Sequence, residues 1–169
     1  SYEDYPTVPE NEIRYLIDNN KMVIRRDGAK LSCKDLEFQD DGIVLSMDNI
    51  IKPYIGGIID PSDPSENMFK QVDIDGGYYV QPGTFFISSS AEYVEIPDGY
   101  VGYVTESNFH RIKEKNSIPK IGPDDSILPY GFHAHTNAPY IGPRGIFQGT
   151  ITFENTVWNL PIELHPRRP

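Results

Sequence analysis

The chain has 169 residues, enough for one domain that buries a sizeable core without covalent staples. Its formal charge of −10 and pI near 4.7 exclude a broad electrostatic grip on polymeric nucleic acid or on an anionic membrane, because both require a positive surface. With 15 prolines, 14 glycines and 11 tyrosines, the composition favours many short strands joined by turns over helices.

Taken in chain order, residues 1–9 are acidic, tyrosine-bearing and punctuated by proline, and read as an N-terminal arm. Asn11 is placed to cap a short helix in which Ile13, Leu16 and Ile17 recur at helical spacing, with Asp18-Asn19-Asn20 ending it. Cys33 is the only cysteine, so no internal disulfide can form, and its expected role is that of a small, partly buried hydrophobe. Short β-like runs then alternate with turn signals: Met22 to Ile24, Ile43 to Met47, Ile50 to Ile55, Tyr78 to Val80, Thr84 to Ser88, Tyr93 to Ile96, Tyr100 to Thr105 and Gly149 to Phe153. That spacing predicts an all-β sandwich, barrel or jelly roll. Asp60 to Ser65 is a rigid polar turn cluster, and 113–130 is a long insertion without a clear period. No repeat or linker divides the chain, so 1–169 is expected to form a single domain. Without an apolar stretch of transmembrane length or a signal-peptide pattern, the expected location is the cytoplasm.

Within the last run, Ile151 and Phe153 alternate with Thr150, Thr152 and Glu154, so Glu154 belongs to a polar strand face. A carboxylate there suits proton transfer, and it equally suits a solvent-facing glutamate. His133-Ala134-His135 sets two imidazoles on one side of a possible strand, a spacing used by metal sites in jelly rolls. The further glutamate and histidine of such sites do not follow at the required distances, so no metal is assigned and a hydrogen-bonded pair near a site wall is expected.

Two segments carry a resemblance. Val80-Gln81-Pro82-Gly83-Thr84-Phe85-Phe86, continuing through Ala91-Glu92-Tyr93-Val94-Glu95-Ile96-Pro97 to Gly102-Tyr103-Val104, is similar to a "PGE-hydrophobic" strand followed by "T-x-E-x-V-x-hydrophobic-P" and a short glycine-bearing strand. The closing run from Gly149 to Leu164 resembles "G-x-I-x-L-E-x-x-N" followed by "LPI-x-L-x-P". Together they resemble the family of dCTP deaminases and trimeric dUTPases, most of all its deaminase branch. The resemblance implies a distorted, jelly-roll-like β-barrel of the dUTPase-like, β-clip type with a short N-terminal helix. It implies further a homotrimer with deoxynucleotide sites at the subunit interfaces.

By that resemblance Glu154 is the general acid/base that activates water against C4 of cytosine. The family's "R-S-S-L-A-R" falls on Glu106-Ser107-Asn108-Phe109-His110-Arg111, so Ser107 and Arg111 are the retained catalytic partners. Asn108, His110, Thr136, Asn137, Ala138 and Tyr140 are the expected substrate contacts. His110, which replaces a small residue of the family segment, either faces a phosphate or packs at an interface, and Tyr140 either stacks on the deoxyribose, as aromatics of that hairpin do in relatives, or is structural. One partly buried carboxylate can take a proton from water and return it to the ring nitrogen and to departing ammonia. A serine hydroxyl can orient the water, and a guanidinium can hold a carbonyl or phosphate oxygen with paired donors. No cofactor is needed at the catalytic base, and Mg2+ enters only with the nucleotide phosphates. The paired cysteines of zinc deaminases are absent.

Three departures qualify the likeness. Glu106 replaces a phosphate-binding arginine, which weakens triphosphate binding unless another cation compensates. Gly142 stands where the dUTPase branch has the aspartate that activates the hydrolytic water, so ordinary dUTP hydrolysis is not expected. The sequence given closes at Pro166-Arg167-Arg168-Pro169, short of the family's nucleotide-covering arm, and 113–130 is a candidate substitute lid. The expected function is deamination of a deoxycytidine nucleotide. The alternatives are a catalytically divergent nucleotide-binding or regulatory member of the superfamily and a purely structural jelly roll.

Overall fold

Strand-forming residues at a period of two, broken by Gly, Pro and Asp turns, produce an almost entirely β architecture with one short α-helix among the described residues. The structure is a computed structural model and describes residues 7–39, 41–57, 60, 62, 68–104, 132–135, 140–141, 147–157 and 162–164. Side chains are described within those ranges for 7–104 and 147–155. In chain order, helix α1 (Glu10–Asp18) precedes β1 (Val23–Arg26), β2 (Ala29–Lys30), β3 (Phe38–Gln39), β4 (Gly42–Ile43), β5 (Ile50–Pro53) and β6 (Val72–Asp73). There follow β7 (Tyr78–Val80), β8 (Phe85–Ile96), β9 (Gly102–Tyr103), β10 (Phe132–His135), β11 (Tyr140–Ile141), β12 (Phe147–Val157) and β13 (Ile162–Leu164).

The 12-residue β8 is the spine of the main sheet. Along one edge it pairs antiparallel with β12, from Phe147↔Ile96 to Thr156↔Phe85. Its other edge is shared, with β5 against its first half and β1 against its second. Strand β10 extends the sheet beyond β12, and β2 extends it beyond β1 through the Asp27-Gly28 turn. Asp27 and Gly28 have φ of 54° and 77°, the pair of positive angles that a two-residue hairpin matched to strand twist demands. Smaller ribbons join β3 to β4, β7 to β13 and β9 to β11.

Phe86, Ser88, Ser90, Glu92, Val94 and Ile96, every second residue of β8, are buried. The apolar ends of this face anchor two core clusters. One contains Ile51, Ile74, Val80 and Phe86, and the other contains Ile24, Val94 and Ile96 with Leu36, Leu45 and Phe147 packed against it. Between them lies a polar belt of Ser88, Ser90 and Glu92, whose buried groups require partners. Glu92 has them: its carboxylate accepts from the Ser46 backbone N–H at 2.6 Å, from the Ser46 hydroxyl at 2.7 Å and from Arg26 Nε at 3.1 Å.

Ser90 resolves a break in the ladder. Register passes from Thr150↔Tyr93 to Thr152↔Ser89, so Ile151 alone faces Ser90, Ala91 and Glu92. The Ser90 hydroxyl accepts the Ile151 N–H at 2.9 Å and donates to the Glu92 carbonyl at 2.7 Å, closing the bulge with a side chain. Two residues are added rather than one, so side chains keep their faces on both sides of it.

Several sequence expectations need correction. Thr84 to Ser88 and Tyr93 to Ile96 are one strand, because the weakly β-forming Ser89-Ser90-Ala91 between them leads into the bulge at Ser90-Ala91-Glu92. The helix starts at Glu10 with Pro9 at its cap, not at Asn11. Pro9 is held extended and offers no side-chain oxygen; instead the Glu10 N–H donates to Asp41 Oδ1 at 3.1 Å, a partner distant in sequence. The expected strand from Ile43 to Met47 shrinks to the β3–β4 hairpin and one bridge, Met47↔Ser90. The arm is described only at residues 7–9, and 113–130 lies outside the described residues. No helix among the described residues is long and apolar enough to cross a membrane.

A short 3-10 turn at Cys33–Asp35 supplies a pH-dependent test of local stability. The Ser32 backbone N–H and hydroxyl both donate to Asp35 Oδ2 at 2.9 Å and hold that carboxyl below its ordinary value of 3.8. A carboxylate whose folded pKa is depressed stabilises above its unfolded pKa, and the effect fades as pH falls through the lower folded value. Asp35→Asn is therefore expected to lower the urea midpoint at neutral pH, with the gap to wild type closing in acid. A gap that persists unchanged below the folded pKa would speak against the carboxylate.

Candidate active site around Glu154

Glu154 is carried by β12 between two paired neighbours. Its register partners are Ile87 of β8 on one side and His135 of β10 on the other. A strand hydrogen-bonded along both edges holds a side chain at a fixed angle more firmly than a loop does. Ile151 and Asn155 are buried on one face of β12, whereas Thr150 and Thr152 are exposed on the other. Glu154 shares the face of the threonines and is half-buried. The expected placement, a carboxylate on the polar face of a strand, is the observed one. A half-buried acid on that face can meet a ligand while its backbone stays clamped.

Asn155, the next residue, points the opposite way and is completely buried. Its Nδ2 lies 2.9 Å from the Ser88 hydroxyl, 3.1 Å from the Phe86 carbonyl and 3.3 Å from the Phe153 carbonyl. Its Oδ1 has no hydrogen-bond partner among the described residues. Sequence reasoning missed this residue and the polar belt beneath it. The available signal was the set of polar residues at Ser88, Ser90 and Glu92, in phase with Phe86 and Val94 on what had to be a core-facing period of two.

The other expected site residues are placed less completely. Tyr140 forms part of β11, with its backbone paired to Tyr103 of β9. His133 and His135 do occupy one strand, opposite Thr156 and Glu154 respectively. This register sets His135, the residue preceding Thr136, beside the acid. Ser107, Asn108, His110, Arg111, Thr136, Asn137 and Ala138 lie outside the described residues, as do Glu106 and Gly142. Cys33 is half-buried, and its thiol donates to Asp18 Oδ1 at 3.4 Å. Burial, followed by that hydrogen bond and the charge of Asp18, pushes the thiol pKa up, which disfavours the thiolate.

No family model matches the chain. It is 30% identical over 114 residues to the "dCTP deaminase, dUMP-forming" of Methanothermobacter thermautotrophicus, across 65% of this chain and 48% of that protein. To the protein of the same name from Methanobrevibacter smithii it is 26% identical over 163 residues, across 93% of this chain and 73% of the relative. The Methanosphaera stadtmanae protein of that name is 28% identical over 166 residues, again with 93% of this chain and 72% of the relative aligned. The chain thus spans about half the length of the first relative and nearly three quarters of the others. In structure it matches the 2'-deoxycytidine 5'-triphosphate deaminase of Agrobacterium tumefaciens with a TM-score of 0.58 and 16% identity, over 95% of this chain and 44% of that one. The likeness is one of fold, between the β architecture of this chain and the 44% of that enzyme's chain it superimposes on.

Proposed function

We propose, on the premise that this chain is a divergent relative of the dCTP deaminases, that it deaminates a deoxycytidine nucleotide by metal-independent hydrolysis. The observation that carries the reading is Glu154, half-buried on the polar face of β12 and clamped between β8 and β10. Glu154 takes a proton from water as the oxygen attacks C4 of the cytosine, and passes it to the ring nitrogen. As the tetrahedral adduct collapses, Glu154 takes the proton of the new C4 hydroxyl and gives it to the amino group, the bond from C4 to that amine breaks, ammonia leaves and a uracil nucleotide remains. The carboxylate ends as it began, so no redox partner or covalent intermediate is required. Ser107 orients the water and Arg111 holds an oxygen of the base or phosphate. Asn108, His110, Thr136, Asn137, Ala138 and Tyr140 line the substrate, and Mg2+ accompanies the phosphates. The working form is a cytoplasmic homotrimer that completes each site at a subunit interface.

With Gly142 in place of the hydrolytic aspartate, the phosphates stay on the product. Incubation with dCTP, dCMP and modified deoxycytidine nucleotides is expected to release ammonia and the matching uracil nucleotide, with the phosphate chain intact by chromatography. No ammonia from any of them would overturn the reading. Glu106, an anion where the family places a phosphate-binding cation, favours a second reading in which the scaffold binds nucleotides without turnover. Calorimetry across the same nucleotides separates the two, since heat of binding without ammonia supports the second reading alone.

A further inference from the structure

Asn155 is an unusual choice for its position. Its side chain is 0% exposed, and Ile151 on the same face of β12 is buried as well. A leucine has nearly the same shape and would fill the space without burying an amide whose Oδ1 has no partner among the described residues. The Nδ2 group has two hydrogens for three acceptors, and those acceptors bracket one point of the sheet. Phe153 precedes Glu154 on its own strand. Phe86 and Ser88 flank Ile87, the residue in register with Glu154 on the neighbouring strand. The amide therefore ties β12 to β8 on either side of the acid, by bonds additional to the backbone ladder.

We infer that Asn155 is a positioning residue for Glu154. It fixes the local twist of β12 from the core side, so that the carboxylate on the opposite face keeps its angle toward the reacting base. The inference rests on the proposal that Glu154 is the proton-transfer group. A buried polar side chain beside a working group is where local packing rules are expected to yield to function. Misplacing a catalytic group by about 1 Å can cost on the order of 100-fold in rate while leaving binding of the remainder of the substrate in place. The expected signature is consequently a fall in kcat with little change in KM.

The test compares Asn155→Leu, Ser88→Ala and Glu154→Gln with wild type, in kcat, KM, melting temperature and the 13C resonance of the Glu154 carboxyl. Asn155→Leu is expected to lower kcat by roughly 10- to 100-fold, with KM within about threefold and the melting temperature held or raised. Ser88→Ala, which removes one acceptor without adding volume, is expected to lower kcat by a few fold, and it decides the matter if Asn155→Leu does not fold. In both variants the Glu154 resonance, assigned through its loss in Glu154→Gln, is expected to move in chemical shift or titration midpoint without any substrate present. A kcat that holds in both while Glu154→Gln is inactive overturns the positioning role and leaves the function standing. If Glu154→Gln stays fully active, the functional reading falls instead. If wild type shows no turnover, the carboxyl resonance still decides, since one that is unmoved in both variants overturns the coupling of Asn155 to Glu154.

Discussion

Glu154→Gln is expected to lower the rate of ammonia release by on the order of 1,000-fold, inside the range of about 100- to 10,000-fold typical of general acid–base groups. Glutamine keeps the length and hydrogen-bonding capacity of glutamate but cannot take a proton from water. The substitution spares the fold for three reasons visible in the structure. The ladder bonds of β12 are made by backbone, the side chain lies on the face away from the core, and it is only half-buried. KM is expected to change little, because the proposed reading gives the phosphates and sugar to residues other than Glu154. Initial rates with dCTP and circular-dichroism melting, run on the same preparations, check both halves. Retention of more than about a third of wild-type turnover would remove Glu154 from the chemistry, since even a modest general base contributes about 100-fold.

Arg26→Met is expected to lower stability by about 3 kcal/mol. Glu92 is 0% exposed, and its ionic partner is Arg26, whose side chain is 32% exposed. Removing one member of a buried pair leaves an uncompensated charge in the interior, at a cost of about 3–5 kcal/mol. The lower end applies here because the two hydrogen bonds from Ser46 remain and Arg26 is partly hydrated. Glu92→Gln removes the charge while keeping an acceptor for Ser46, so the double variant Arg26→Met/Glu92→Gln should recover part of the loss. Urea denaturation of the four proteins in a double-mutant cycle provides the measurement. Additive effects would mean that Arg26 acts only through its alkyl chain against the sheet. The pair also bears on the site. It joins β1 and the Ser46 segment to β8 at the bulge opposite Ile151, three residues before Glu154.

The two effects differ in kind, and the sequence exposed them unequally. The period of two in Thr150 to Glu154 set Glu154 on a polar strand face, and the motif resemblance then singled it out. The Arg26–Glu92 pair could not be singled out, because 66 residues separate its members and each taken alone is an ordinary strand charge. Helix α1 shows the same division. Ile13, Leu16 and Ile17 marked its apolar face, and Leu16 and Ile17 are buried as that spacing requires. The partner that satisfies its first N–H, Asp41, sits in the β3–β4 turn and is invisible to any local capping rule.

By itself the sequence determined the all-β class, the short helix, most of the strand-forming runs, and a resemblance that singled out one glutamate. These are local properties, fixed by side-chain alternation, turn chemistry and motif spacing along a few residues. Only the tertiary structure decided that two predicted strands are one, that its middle is a bulge closed by the Ser90 hydroxyl, and that the core is divided by a polar belt. It also decided that Asn155 grips the backbone around Glu154 from behind. The physical reason is that a buried polar group is tolerable only with partners, and its partners here come from strands far apart in the chain. Periodicity can tell which way a residue points, whereas only the folded sheet can tell what it meets there.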